Sequence, residues 1–147
     1  EQLSVHSITR KYYAIVLNGF NTEDGVVDAP IGRNPSDRKK MAIDKKNGKR
    51  AVTHYKVLEQ FGKYSYIECQ LETGRTHQIR VHMSSIGHPL LGDDVYGSGK
   101  SPFNLTGQTL HAGVLGFIHP STKEYVEYSA PLPEYFQKVL DKLRGNC

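Results

Sequence analysis

Two runs of alternating side chains, AVTHYKVLEQF (51 to 61) and YSYIECQLE (64 to 72), are separated only by Gly62-Lys63. Alternation with a period of two puts one set of side chains on each face of a β-strand, and a two-residue link with Gly can close only an antiparallel hairpin. This pair commits the chain to an antiparallel sheet. RKYYAIVLN (10 to 18), β-branched and aromatic, adds a strand that stops at the turn-forming Asn18-Gly19. LHAGVLGFIHP (110 to 120) and KEYVEYS (123 to 129) read as two more.

At Thr73 the period changes. Ile79, Met83 and Ile86 fall at i, i+4 and i+7, and Gly87 with His88-Pro89 supplies a stop. Residues 75 to 86 are therefore predicted as a short helix, with Thr73 or Gly74 near its start. PEYFQKVLDKL (133 to 143) reads as a second helix with Pro133 in its first turn, and residues 92 to 109 as a loop rich in Gly, Ser and Asp. The expected fold class is α+β, one domain with a mixed, mainly antiparallel sheet and a few helices. The 37% of hydrophobic residues in 147 is enough to bury a core.

Several classes of function are set aside by what the chain lacks. No apolar run approaches the roughly 20 residues of a membrane span, and two cysteines, Cys69 and Cys147, are too few for a disulfide framework. A reducing, cytoplasmic setting is expected. GSGKS (97 to 101) misses the phosphate-loop pattern, because Asp94 stands where that pattern needs Gly. His77 and His82 are five apart, whereas a two-histidine metal site on a helix wants four, so no metal is expected.

The net charge of +4 is concentrated in one place. Between residues 33 and 50, Arg33, Arg38, Lys39, Lys40, Lys45, Lys46, Lys49 and Arg50 face only Asp37 and Asp44, eight charges against two, or +6. Such a segment is either a solvated loop or a docking surface for a polyanion. In LETGRTHQIRVH (71 to 82), Arg75, His77, Gln78 and Arg80 arrive where a strand gives way to a helix start. Guanidinium forks and unpaired backbone N–H groups there suit phosphate or carboxylate oxygens, while a helix cap is the alternative.

GRTHQIRVHMSSIGHPLLGDDVYG (74 to 97) resembles the signature of the RluA/RluD-type pseudouridine synthases of ribosomal RNA. KYYAIVLNG (11 to 19), VDAPIGRNPSDRKKMAI (27 to 43), AVTHYKVLE (51 to 59) and LHAGVLGFIHP follow the order of that family's Lys-x-Tyr strand, basic inserted loop, next strand and last core strand. The resemblance implies the pseudouridine synthase fold and isomerisation of a uridine in RNA without cofactor or metal. The uracil is detached from its ribose, turned, and rejoined through carbon. It implies that Tyr13 stacks on the target base and shields the nucleophile, that Arg80 pairs with the catalytic aspartate, and that Leu110 packs beneath the base. By pattern alone, Tyr13 and Leu110 read as plain core residues. Arg75, His77, Arg33, Arg38, Lys39 and Lys40 are expected to contact RNA, most naturally from the large ribosomal subunit, with no membrane partner and a monomeric full-length enzyme.

One departure matters. The family's nucleophile is the Asp of an Arg-Leu-Asp motif before the Lys-x-Tyr strand, and no Asp of this chain lies in such a motif. Residues 1 to 147 are therefore expected to be the C-terminal part of a catalytic domain, inactive alone. The alternative is a non-catalytic RNA-binding module of the same fold.

Overall fold

A computed structural model of the chain describes residues 8–37 and 39–145; Arg38 and Cys147 lie outside the described residues. The main sheet has six strands: β1 (Ile8–Leu17), β2 (Asp24–Asp28), β5 (Val52–Gln60), β6 (Tyr64–Leu71), β7 (Leu110–Ile118) and β8 (Tyr125–Ser129). Their order is β2-β5-β6-β1-β7-β8, every neighbouring pair antiparallel. The expected hairpin is β5–β6, turning at Gly62 with φ of 77°. Its alternation arises because each strand is half-buried, so that Val52 and Ile67 enter the core while His54 and Gln70 stay outside.

The basic stretch is not a plain loop. It holds a second, two-stranded sheet of β3 (Ile31–Arg33) and β4 (Met41–Ile43). The two aspartates among its cations serve the turns. Asp37 Oδ1 accepts the Lys39 N–H, and Asp44 Oδ1 accepts those of Lys46 and Asn47. Strands β2, β3 and β4 are the elements that periodicity does not announce, being only five, three and three residues long.

The first helix, α1, runs Gln78–Ser85 and starts three residues later than the spacing predicts. Its N-cap is His77, held in the left-handed region at φ 56°, so residues 74 to 77 form a turn instead of helix. Ile79 and Met83 are buried as expected, whereas Ile86 caps the C-terminus and is exposed. The second helix, α2, is Glu134–Leu143, with Pro133 in extended conformation as the residue before it.

The two helices cover opposite faces of the sheet. Ala14, Val16, Ile67 and Cys69 pack with Ile79 and Met83 of α1. Ile15, Tyr66 and Leu91 pack with Phe136, Val139 and Leu140 of α2. Successive side chains of β1 point to opposite faces, so this strand feeds both cores. A third cluster, Ile31, Ala51 and Val81 with Met41, Ile43 and Tyr96 around them, fastens the small sheet to α1.

Candidate functional site

On the α1 face, a cleft of about 330 Å³ opens between β1, the start of β7 and the turn leading into α1. Its apolar surfaces come from Tyr12, Leu71, Ile79 and Leu110, and its charge from Arg10, Arg75 and Arg80; His77, Gln78 and Gln108 complete it. None of the lining residues is a carboxylate. An aromatic and apolar interior under a cationic rim suits a planar base carried on a phosphate backbone.

Arg80 is the most tightly held cation of the cleft. Its Nε donates to Asp93 Oδ2 at 2.9 Å and its Nη2 to Asp93 Oδ1 at 3.1 Å. Asp93 is wholly buried, and its Oδ1 also accepts the backbone N–H groups of Val95 and Tyr96. Burial opposes the charge on Asp93, but the Arg80 fork and those two amides outweigh it, holding the carboxyl below its usual range. The same bond raises the Arg80 pKa above its ordinary value. The GDDVYG loop thus supplies Arg80 with a carboxylate partner that spacing along the chain does not announce. The fork leaves the Nη1 edge of the guanidinium out of this pair.

Gln78 explains how the turn before α1 is built. Its Oε1 accepts from the Arg75 N–H and from Thr73 Oγ1, and its Nε2 donates to Val52 O and Thr53 Oγ1. Thr53 Oγ1 lies 2.9 Å from His82 Nδ1, and His82 Nε2 lies 2.8 Å from Ala29 O. A carbonyl can only accept, so His82 carries its proton on Nε2 and the Thr53 hydroxyl donates to Nδ1. Burial lowers the His82 pKa and keeps the ring neutral, a structural role in the core.

Arg75 sits on the rim. Its Nε donates to Arg50 O at 2.7 Å. Arg50 in turn bonds to Glu72, and His54 bonds to the other oxygen of Glu72. Glu72 is held below its usual range by those two bonds. Arg75 and Gly74 also border a second hollow of about 410 Å³ between the small sheet and the helix start, lined further by Arg33, Asn47 and Lys49. The cleft and the basic hairpin therefore meet at Arg75. Lys39 is exposed and Lys40 half-buried at the far end of that hairpin, outside both hollows.

Tyr13, expected to stack on the target base, is not among the residues that line this cleft. Strand alternation turns it to the α2 face, where its hydroxyl donates to Glu68 Oε2 and its ring lies near Tyr66. The ring rests over Gly113, where an added Cβ would come within 2.3 Å of Tyr13 Cε2. The tyrosine that lines the cleft is Tyr12, with Leu110 from the neighbouring strand. Two further cleft residues, Arg10 and Gln108, were not anticipated. Arg10 shares strand parity with Tyr12, a signal available in the sequence; Gln108 lies at the end of an irregular loop and had none. The Arg10 guanidinium fits because residue 74 is Gly, whose missing Cβ would stand 2.5 Å from Arg10 Nη1.

Among the described residues no group of three or more His, Cys, Asp or Glu could hold a metal ion, and no helix is long and apolar enough to cross a membrane. Cys69 is buried, with its thiol pushed up to about 12 by burial, and stands away from the cleft.

Comparison with known proteins gives the family. The chain is 54% identical over 145 residues to the uncharacterized RNA pseudouridine synthase YlyB of Bacillus subtilis (strain 168), covering 99% of the chain and 47% of that protein. It is 49% identical over 150 residues to ribosomal large subunit pseudouridine synthase D of Zymomonas mobilis, covering 97% and 47%. The chain thus spans about half the length of these relatives. The structure of human RNA pseudouridylate synthase domain containing 1 superposes with a TM-score of 0.73 at 29% identity, over 94% of this chain and 66% of that one. A family model described as RNA pseudouridylate synthase matches residues 1–85, which carry β1, the basic hairpin, the β5–β6 pair and α1. With more than half of its length matched, and with an apolar, arginine-rimmed cleft on the matched strands, the chain belongs to the RNA pseudouridylate synthase family.

Proposed function

We propose that these 147 residues form the base-holding and RNA-docking side of an enzyme that isomerises uridine to pseudouridine in ribosomal RNA of the large subunit. The observation that carries the proposal is the cleft itself, three arginines around an apolar and aromatic interior with no carboxylate in its wall. The named activities of the relatives support the choice of substrate.

The isomerisation breaks the bond from ribose C1′ to uracil N1 and makes one from C1′ to C5, with a proton leaving C5 and one gained at N1. Nothing is added overall, so the reaction needs no oxidant, reductant or group donor. A base taken out of its stack loses stacking energy, which Tyr12 and Leu110, on neighbouring strands of the same sheet face, replace in part. The attacking carboxylate comes from outside this chain, and the Nη1 edge of Arg80 meets it, its guanidinium already aimed by Asp93. Keeping that carboxylate ionised is what an adjacent guanidinium does. Arg75, Arg33, Lys39 and Lys40 meet phosphates along the hairpin. Arg38 belongs to the same run of cations, although it lies outside the described residues. The enzyme acts as a cytoplasmic monomer.

Two variants of this chain test the reading through binding of a uridine-containing stem-loop RNA. Tyr12→Ala weakens binding about tenfold or more, the loss expected when one stacking partner is removed. Tyr13→Ala, on the other face, changes it less than twofold. Equal effects from the two would return both tyrosines to plain core packing. In the full-length enzyme, Arg80→Ala removes most of the single-turnover rate and leaves RNA affinity within a few-fold; near-normal chemistry overturns its assignment.

A further inference from the structure

His77 stands at a junction that neither the anion-site reading nor the family comparison explains. It is a non-glycine residue in left-handed conformation at the N-cap of α1, yet its side chain makes no capping bond. Its Nδ1 instead lies 2.8 Å from the hydroxyl of Tyr96. That hydroxyl accepts the Met41 N–H of β4 at 2.9 Å. The Tyr96 ring meets the His77 ring edge-on at 5.5 Å, and the Arg80 guanidinium lies over it at 5.1 Å. The backbone of Tyr96 is equally constrained, its N–H bonded to Asp93 and its carbonyl accepting the Ser84 hydroxyl. Tyr96 is thus held at both ends before it touches His77.

The direction of these bonds points to one tautomer. The tyrosine oxygen accepts from Met41, so its own proton is available to donate, and the acceptor within reach is His77 Nδ1. The proton of a neutral ring then sits on Nε2. Burial is the main cause that lowers the His77 pKa; of the charged groups that bear on the ring, Arg80 lowers it further, Asp93 opposes, and Arg33 adds a smaller lowering.

We propose that Tyr96 is a positioning residue that fixes His77 with Nδ1 as acceptor and Nε2–H as donor at the cleft wall, so that His77 binds an RNA oxygen by a hydrogen bond and not by charge. The acceptor is a ribose hydroxyl, a phosphate oxygen or a uracil carbonyl; all three present the same lone pair. Because Tyr96 also holds β4, the basic hairpin and this donor are set in one frame. The inference rests on the RNA reading above.

The experiment combines nitrogen spectroscopy with binding, on this chain. In 15N-histidine spectra near neutral pH, His77 shows a protonated Nε2 and an unprotonated Nδ1, and Tyr96→Phe, which keeps the ring and its packing, mixes the two tautomers. Against a uridine-containing stem-loop RNA, His77→Phe weakens binding about tenfold, as the loss of one hydrogen bond does. The slope of log affinity against log salt stays unchanged, and His77→Asn restores most of the affinity. A slope lowered by about 0.7, the value for one phosphate neutralised on a single strand, overturns the neutral-donor role. So does a protonated Nδ1, or a tautomer indifferent to Tyr96→Phe. Binding that survives His77→Phe undiminished strikes the donor role alone, whereas absence of RNA binding by the wild-type chain strikes the RNA reading and the donor role with it.

Discussion

The two faces of the sheet share β1 but are built on different principles. Under α2, Ile15, Tyr66, Leu91, Phe136 and Leu140 form an apolar core in which shape does most of the work. Under α1, the apolar cluster is flanked by buried polar groups, Thr53, Gln78, His82 and Asp93, each fully partnered. The first face supplies stability through area removed from water. The second uses hydrogen bonds that contribute little net energy but fix where Arg75, His77 and Arg80 stand. The fold keeps its precision on the face that carries the cleft.

The contrast can be broken hardest on the α2 side. Phe136→Ala removes a fully buried aromatic and is expected to cost about 4 kcal/mol, read by denaturant unfolding, with the cleft lost only because the fold is. Next comes Arg80→Ala, expected to cost about 3 kcal/mol because it strands the buried Asp93 carboxylate. Arg80→Lys should recover only part of that, since an ammonium cannot bond both carboxylate oxygens in the same plane. Thr53→Val, nearly isosteric, leaves Gln78 Nε2 and His82 Nδ1 each short of a partner, for about 2 kcal/mol. If Thr53→Val proves neutral, the polar face owes its order to packing after all.

A smaller effect separates the faces by pH. The folded-state pKa of His82 is depressed, so its contribution is complete above the ordinary histidine value of about 6.5 and is lost as pH falls from there towards the folded value. Thermal stability should therefore decline between pH 7 and 5. His82→Gln should flatten that decline, leaving the part due to His77, also depressed. Smallest of all, Lys138→Ala breaks the exposed pair with Glu134 on α2 and should shift stability by about 0.3 kcal/mol, vanishing in high salt.

Much of the scaffold was legible because half-buried strands leave a period-two trace. The β5–β6 hairpin and β7 read directly from it, and Ile79 with Met83 announced α1. Strand β2 was hidden by turn-forming neighbours, and β3 and β4 by cations whose spacing reflects solvent and not a core. The start of α1 was misplaced because a histidine at positive φ has no sequence signature. Parity told that Tyr12 and Tyr13 face apart, but which one meets the cleft depends on where α1 docks, a long-range fact. The Arg80–Asp93 pair bridges 13 residues through a loop, beyond any periodicity. The Gln78 and His82 spacing of one helical turn was visible; that Thr53 of β5 bonds both was not.

The bonds from Gln78 through Thr53 to His82 run in one direction, every hydrogen committed to the next acceptor and the last to Ala29 O. A hydroxyl hydrogen so placed cannot rotate towards water, and Thr53 is fully buried. Threonine hydroxyl hydrogens ordinarily trade with solvent too fast to be seen. This one trades only when β5 and α1 part, so its exchange in deuterated solvent is a clock for the opening of the cleft face, kept by a single atom.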